Sequence, residues 1–86
     1  MTKIYSIEYY PAARKFLQKM DSQLAMRLYE SIEEIRSDPW SKTVPLVNMG
    51  DQRKLRVGEY RVILTIDDDR IFVTIVKIGH RRNIYN

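Results

Sequence analysis

Residues 53–66 read Arg53-Lys54-Leu55-Arg56-Val57-Gly58-Glu59-Tyr60-Arg61-Val62-Ile63-Leu64-Thr65-Ile66. Two runs rich in β-branched and aromatic residues flank Gly58-Glu59, and glycine at the first central position is typical of a type II′ turn. We therefore predict a hairpin between strands 52–57 and 60–66. A two-residue loop also fixes the register. The predicted facing pairs are Val57 with Tyr60, Arg56 with Arg61, Leu55 with Val62, and Lys54 with Ile63.

This register separates the side chains of the hairpin into two faces. The apolar face suits packing against helices and holds Leu55, Val57, Tyr60, Val62 and Leu64. The other face holds Lys54, Arg56 and Arg61. Like charges directly opposite each other destabilise a strand pair, so stability gives no reason to place Arg56 against Arg61, whereas an anionic ligand would. The alternative is that these are solvated cations whose stems cover apolar neighbours.

Upstream of the hairpin, the sequence predicts one strand and two helices. Residues 2–9 suit a half-buried strand that ends at Pro11. Apolar residues recur at helical spacing over 12–20, and Asp21-Ser22 supplies an N-cap for a second amphipathic helix that continues to Asp38-Pro39. Residues 40–49 contain a proline and no clear period, so we predict a connecting loop anchored by its tryptophan.

Downstream, Asp67-Asp68-Asp69 predicts a turn and residues 71–78 a last strand. Three acids at a hairpin tip lack the spacing and further ligands of a calcium loop, so we predict no metal site. The resulting order is βααβββ. It predicts one α+β domain over residues 1–86, with an antiparallel sheet and an αα-hairpin packed on one face.

Composition narrows the classes of function. The 86 residues include no cysteine, which is typical of the reducing cytoplasm, and we identify no export signal and no apolar run long enough to cross a membrane. The net charge is +4, and the excess lies late in the chain: residues 1–50 hold 7 basic against 6 acidic residues, residues 51–86 hold 8 against 5. This distribution favours an acidic partner for the C-terminal part.

The last strand leads into Lys77-Ile78-Gly79-His80-Arg81-Arg82-Asn83-Ile84-Tyr85-Asn86, a short tail that we expect to bend at its glycine. Metal-free RNA cleavage requires a base for the 2′-OH, cations for the extra negative charge on phosphorus, and an acid for the departing 5′-oxygen. Arginine and lysine bind phosphate, His80 could transfer protons near neutral pH, and Tyr85 could act as a base where cations lower its pKa. The alternative is that the histidine and the tyrosine cap or pack.

Two motifs of this sequence, residues 53–63 and residues 76–85, resemble those of RelE-type toxins in the RelE/ParE superfamily. With the βααβββ order, the resemblance covers nearly the whole chain. It implies the toxin of a type II toxin-antitoxin pair, a metal-independent endoribonuclease that enters the ribosomal A site, cleaves mRNA and stops translation. It also implies a RelB-like antitoxin as partner, besides the ribosome and mRNA, and no cofactor.

The resemblance also implies roles for individual residues. Lys54 and Arg61 would hold the phosphate, Arg81 would assist the leaving group, and Tyr85 would activate the 2′-OH, with His80 as a reserve acid or base. The remaining cations near these positions are predicted to bind RNA. They are Arg53, Arg56, Lys77 and Arg82. One departure is Gln52, where some relatives carry another lysine.

Two other functions remain open on the sequence. One is inhibition of DNA gyrase, as in ParE-like proteins, which share the fold and would not need the full set of nuclease residues. A catalytically weakened relative that only binds its antitoxin or RNA is the third.

Overall fold

The computed structural model describes residues 3–82. Its strands are β1 (Ser6–Tyr9), β2 (Val44–Pro45), β3 (Arg53–Val57), β4 (Tyr60–Asp67) and β5 (Phe72–His80). They form one sheet in the order β1-β5-β4-β3-β2. The predicted α+β fold is confirmed, and the sheet is antiparallel except that β1 runs parallel to β5. The sequence could not show this exception, because side chains alternate in the same way in both strand directions.

The hairpin at the centre of the prediction is confirmed residue by residue. Arg56 lies opposite Arg61, and Lys54 opposite Ile63, with the other two predicted pairs in the same register. Gly58 has a φ of 57°, whereas Glu59 does not have positive φ, as expected for a type II′ turn. Glycine adopts this left-handed conformation without the steric cost that a Cβ would bring.

The helices are α1 (Pro11–Lys19), α2 (Ser22–Glu34) and the short α3 (Pro39–Lys42), with one turn of 3₁₀ helix at Ile35–Ser37. The predicted N-cap of α2 is confirmed: the Asp21 carboxylate accepts hydrogen bonds from the backbone N–H groups of Gln23 at 3.1 Å and Leu24 at 3.3 Å. These bonds satisfy donors that a helix start leaves without intrahelical partners.

The main core lies between α1, α2 and one face of the sheet. It includes Ala13, Leu28 and Ile32 from the helices and Val62, Leu64, Val73, Ile75 and Ile78 from the strands. A smaller cluster lies on the opposite side, where Leu46 and Ile63 are buried and Val76 packs against them. We call this second side of the sheet, turned away from α1 and α2, the open face.

A bulge brings Val76 to the open face. Ile63 pairs with Lys77 whereas Leu64 pairs with Ile75, so Val76 is an extra residue in β5. A bulge of this kind bends the strand and re-aims its side chains. As a result, two consecutive residues of β5 contribute to the open face.

The first predicted strand is wrong at its start, because β1 begins only at Ser6. The preceding residue is held by the end of the helical hairpin instead: the backbone N–H of Tyr5 donates to the Arg36 carbonyl at 2.9 Å, and the Arg36 Nε donates back to the Tyr5 carbonyl at 2.8 Å. These bonds use the backbone groups that a longer strand would have paired with the sheet.

The predicted loop over 40–49 is also wrong in part, since it contains the end of α3 and all of β2. Asp38 caps α3 by accepting from the backbone N–H of Ser41 at 3.4 Å, and Pro39 occupies the first helical turn. An acidic N-cap followed by proline is a recognised helix start. The anchoring role of Trp40 is confirmed, because its Nε1 donates to the Asp68 carboxylate at 2.9 Å.

The bend expected at Gly79 is absent. Gly79 lies inside β5, opposite Arg61, and the strand continues to His80. The sequence prediction ended this strand at residue 78, because glycine commonly interrupts strands.

Candidate functional site

The candidate site is a set of cations on adjacent strands of the open face. One row across β3, β4 and β5 consists of Arg56, Arg61 and Gly79, and the neighbouring row consists of Lys54, Ile63 and Lys77. The hairpin register and the alternation of side chains place all of these positions on the open face. We call Lys54, Arg56, Arg61 and Lys77 the cationic face. The structure therefore brings together four of the residues predicted to bind phosphate or RNA.

Arg81 extends this arrangement past the end of β5. Its backbone N–H donates to the Glu59 carbonyl at 2.9 Å, so the β4–β5 ladder gains one more hydrogen bond beyond His80. Its Nε also forms an ion pair with the Glu59 carboxylate at 2.8 Å. Both side chains are substantially exposed, 40% for the arginine and 58% for the glutamate, so the pair contributes little to stability. Arg81 is thus held at the hairpin end of the cationic face.

His80, predicted as a reserve acid or base, lies on the side of the sheet opposite to the cationic face. It is two residues from Ile78, which is buried in the main core. Its ring meets that of Tyr60 edge-on at 5.7 Å, and Tyr60 meets Phe16 of α1 in the same way at 6.0 Å. The Nδ1 of His80 accepts the backbone N–H of Arg82 at 3.3 Å. These contacts assign His80 to packing and to the end of the strand.

Arg53 is the second residue that the structure separates from the predicted set. It alternates with Lys54 along β3, and its Nε donates to the Thr43 hydroxyl at 2.8 Å. Its terminal nitrogen donates to the carbonyls of Thr43 at 2.8 Å and Trp40 at 3.2 Å. The guanidinium also lies 4.7 Å from the centre of the Trp40 ring, a cation–π contact. Arg53 therefore fastens α3 to the sheet.

The remaining predicted site residues lie at or beyond the described end of the chain. Arg82 is exposed at residue 82, the last position described. Tyr85, predicted to activate the 2′-OH, lies outside the described residues, so its role stays a prediction.

The sequence analysis missed a cavity beside the cationic face. It has a volume of about 400 Å³ and is lined by Pro45, Leu46, Val47, Met49, Gln52, Lys54, Ile63 and Lys77. Of the predicted catalytic cations, Lys54 lines this cavity, whereas Arg61 and Arg81 do not. The only sequence feature that points to this cavity is the alternation of apolar Val44 and Leu46 around Pro45. Such a pattern is typical of an edge strand, but it is too short to predict one from sequence.

The far end of the open face has the opposite charge. A second cavity of about 490 Å³ is lined by Glu8, Asp51, Asp67, Asp68 and Asp69, together with Thr65 and Thr74 and other residues. The predicted acidic turn is confirmed in part: Asp67 ends β4, the turn occupies residues 68–71, and Asp67 accepts the backbone N–H of Arg70 at 3.2 Å. Within residues 3–82 no three carboxylate or imidazole groups are arranged to hold a metal ion.

Asp68 connects this acidic end to two other segments. Its Oδ1 accepts the Tyr5 hydroxyl at 2.6 Å and the Trp40 Nε1 at 2.9 Å. These hydrogen bonds favour the charged carboxylate and lower the pKa of Asp68, and the bond to Asp68 raises the pKa of Tyr5. An acidic end of this kind repels a phosphate backbone, so an anionic ligand is directed to the cationic face.

No helix among the described residues has the length and hydropathy required to cross a bilayer.

Three solved structures illustrate what the chain is similar to. A chain of the toxin-antitoxin complex RelBE2 from Mycobacterium tuberculosis has a TM-score of 0.83 and 25% identity, covering 91% of this chain and 99% of that one. The isolated E. coli RelE toxin has a TM-score of 0.76 and 22% identity, covering 88% and 83%. The archaeal RelE-RelB complex from Pyrococcus horikoshii OT3 has a TM-score of 0.77 and 24% identity, covering 96% and 99%. These similarities confirm the RelE-like fold.

Among curated proteins, no sequence matches the chain significantly. The sequence model of one family, described as ParE toxin of type II toxin-antitoxin system, parDE, matches residues 7–85. Because this match spans nearly the whole sequence, the chain belongs to the ParE toxin family of type II toxin-antitoxin systems, within the RelE/ParE superfamily.

Proposed function

We propose that this toxin is a ribosome-dependent endoribonuclease that cleaves mRNA in the A site and thereby stops translation. The observation that carries the proposal is the placement of Arg56 directly opposite Arg61, with Lys54 and Lys77 in the next row of the same face. Like charges at facing positions oppose strand pairing, and a bound polyanion would offset that repulsion. Its cations are spread over adjacent strands, which is an arrangement suited to holding one phosphate from several sides.

In this proposal the cations stabilise the charge that develops on the scissile phosphate. Arg61 binds two phosphate oxygens with its fork of N–H donors, and Lys54 adds a point charge from the adjacent strand. The 2′-oxygen bonds to phosphorus as the P–O5′ bond breaks, Arg81 stabilises the charge on the departing 5′-oxygen, and water supplies its proton. To reach this oxygen, the guanidinium must leave or share the exposed Glu59 carboxylate, which solvent screening makes inexpensive. Tyr85 serves as the base for the 2′-OH, by its position in the RelE-like motif.

Dependence on the ribosome follows from the openness of the site. Among residues 3–82, Lys54 lines a cavity that does not include Arg61 or Arg81, so these described residues do not form one closed pocket. Alignment of reacting groups supplies a large part of catalytic rate enhancement. A site that leaves the RNA backbone unconstrained needs a second surface to align the 2′-OH with the phosphate, and in this proposal the ribosome provides it. The protein would then act in the cytoplasm.

A RelB-like antitoxin is the proposed regulatory partner. The matched structures from M. tuberculosis and P. horikoshii are toxin-antitoxin complexes. The helical side of this chain exposes apolar side chains that a folding peptide segment could bury. They are Tyr10, Leu24, Met26 and Tyr29, which are between 37% and 58% exposed. A partly disordered antitoxin segment would become ordered on this surface.

Inhibition of DNA gyrase is the second candidate, because the matching family description names the parDE system. Two assays on the same purified protein separate the candidates: cleavage of mRNA in a translation extract and supercoiling by gyrase. We expect Arg81→Ala to lower cleavage by about 100-fold, in the range seen for removal of one charge-stabilising donor. A gyrase inhibitor would retain its activity in this variant.

The matched control for that experiment is Arg70→Ala, which removes the same charge at the acidic end of the open face. It should leave cleavage unchanged. Supercoiling inhibition without mRNA cleavage by the parent protein would reject the nuclease in favour of the second candidate. Absence of both activities would identify a weakened relative.

A further inference from the structure

The cavity beside Lys54 has an apolar floor and a polar rim. Ile63 at its base is 1% exposed and Leu46 is 9% exposed. Met49 is 45% exposed beside them. Lys54, Lys77 and Gln52 complete the lining. A ligand that fits this site therefore has an apolar body, a hydrogen-bonding edge and a negative charge close by.

The cavity lies one row from the proposed phosphate site. Lys54 and Lys77 belong to the row of Ile63, and the next row contains Arg56 and Arg61. Rows are two residues apart along a strand, which is about 7 Å. The distance from a phosphate bound between Lys54 and Arg61 to the cavity mouth is therefore about the size of one nucleotide. A nucleobase attached to that nucleotide matches all three properties: apolar faces, a polar edge and a charged phosphate nearby.

Gln52 is fixed at the rim through its main chain. Its carbonyl accepts the Leu46 N–H at 3.0 Å, and its N–H donates to the Met49 carbonyl at 3.2 Å. The connecting turn uses left-handed residues, Asn48 with φ of 61° and Gly50 with φ of 62°. Within residues 3–82, none of the hydrogen bonds found involves the side-chain amide of Gln52. The amide is therefore positioned by a closed turn while its donor and acceptor remain available to a ligand.

We propose that this cavity binds the nucleobase next to the scissile phosphate and that Gln52 determines which base is preferred. The inference rests on the proposed nuclease function and adds a substrate preference to it. A glutamine amide donates and accepts side by side, which matches N7 and the N6 amino group of adenine. Adenine is therefore the preferred base.

An antitoxin segment is the competing occupant, because an acidic, apolar peptide also suits a lysine-rimmed pocket. Two features favour the base. Lys54, which belongs to the proposed phosphate site, also lines the cavity. The polar group beside the two lysines is an amide, whose donor and acceptor together match a base edge, whereas a carboxylate can pair with the donor alone.

The test is to map 5′ ends of cleaved mRNA in cells expressing the parent protein, Gln52→Leu or Gln52→Glu. Comparison on the same ribosomes cancels the preference that the ribosome itself imposes. We expect the parent to favour adenine at one fixed position beside the cut by about ten-fold over other bases. Gln52→Leu should reduce this preference to two-fold or less while cleavage continues. Gln52→Glu should shift it toward cytosine, whose N4 amino group donates to a carboxylate.

The matched control is Gln23→Leu, the same change at an exposed glutamine of α2, which should keep the parent pattern. Thermal denaturation verifies that each variant is folded. Cleavage with an unchanged base pattern in Gln52→Leu would overturn the pocket assignment and leave the nuclease standing. An unchanged pattern combined with weaker neutralisation by the co-expressed antitoxin would assign the cavity to protein binding. Gyrase inhibition without cleavage by the parent would remove both proposals together.

Discussion

Arg56 and Arg61 face each other directly across the β3–β4 hairpin, one residue pair removed from the turn at Gly58-Glu59. The turn fixes this register, so the two guanidiniums cannot be separated by slippage without exposing the apolar residues of the other face. Directly opposed like charges oppose folding. A polyanion bound at this face would offset that cost, which is the physical basis of the proposed RNA ligand.

Replacing Arg56 should stabilise the free protein and impair its function. We expect Arg56→Thr to raise the free energy of unfolding by about 0.5 kcal/mol, as removal of a like-charge cross-strand pair does. Urea denaturation measures the change. The gain should shrink between low salt and about 1 M salt, where surface charges are screened. Cleavage of mRNA should fall in the same variant. A loss of stability at low salt would show that the arginine supports the fold.

Replacing Arg53 should destabilise the protein but leave its activity intact. Arg53→Lys keeps the charge but loses the fork that binds Thr43 and Trp40, so we expect a loss of about 2 kcal/mol in unfolding free energy. Activity per folded molecule should be retained. Arg56→Lys is the matched control and should change stability little. If Arg53→Lys instead abolished cleavage without destabilising the protein, the original assignment of this residue to RNA binding would be restored.

The hairpin turn should tolerate few residues at position 58. No atom outside residues 57–59 lies within 4 Å of a Cβ built on Gly58, so the cost of Gly58→Ala is conformational and arises from its φ of 57°. We expect a loss of about 1 kcal/mol for alanine, and a smaller loss for asparagine, which adopts this conformation more readily. Guanidinium denaturation distinguishes the two variants. Equal stability of the parent, the alanine variant and the asparagine variant would contradict the assigned turn type.

Acid should weaken the link between the acidic turn and the N-terminal segment. Hydrogen bonds from Tyr5 and Trp40 lower the pKa of Asp68 below its unfolded value of about 4. The contribution of Asp68 to stability is therefore complete above that pH and is lost as pH falls through the lower, folded pKa. As the pH is lowered, the melting temperature should fall less steeply in Asp68→Asn than in the parent. Tyr5→Phe, which removes one donor, should lie between them, and identical curves would contradict this account.

The sequence determined most of the hairpin because its constraints are local. A two-residue turn fixes the pairing of Lys54 with Ile63 and of Arg56 with Arg61, and alternation then assigns their faces. Helical periodicity predicted the two long helices, and the family resemblance agreed with the βααβββ order along the chain. The same local reasoning correctly placed the N-cap at Asp21 and the acidic turn.

Arg53 and His80 lie apart from the cationic face because of contacts between segments that are distant in sequence. Arg53 is drawn to Thr43 and Trp40 by a short helix that the sequence pattern did not predict. His80 lies on the helix-facing side because β5 continues through Gly79 and places it opposite Tyr60. The cavity at Gln52 lies beside a two-residue edge strand, which is too short to leave a periodic signal.

The central claim is that the cationic face cleaves mRNA on the ribosome. The most direct measurement incubates the purified toxin with two messages in a reconstituted translation system, identical except that one lacks its start codon, and maps the 5′ ends by primer extension. Our account predicts cuts at codon positions of the translated message alone, with cleavage lost when Arg61 is changed to alanine. Equal cutting of both messages, or cutting that survives Arg61→Ala, would contradict it.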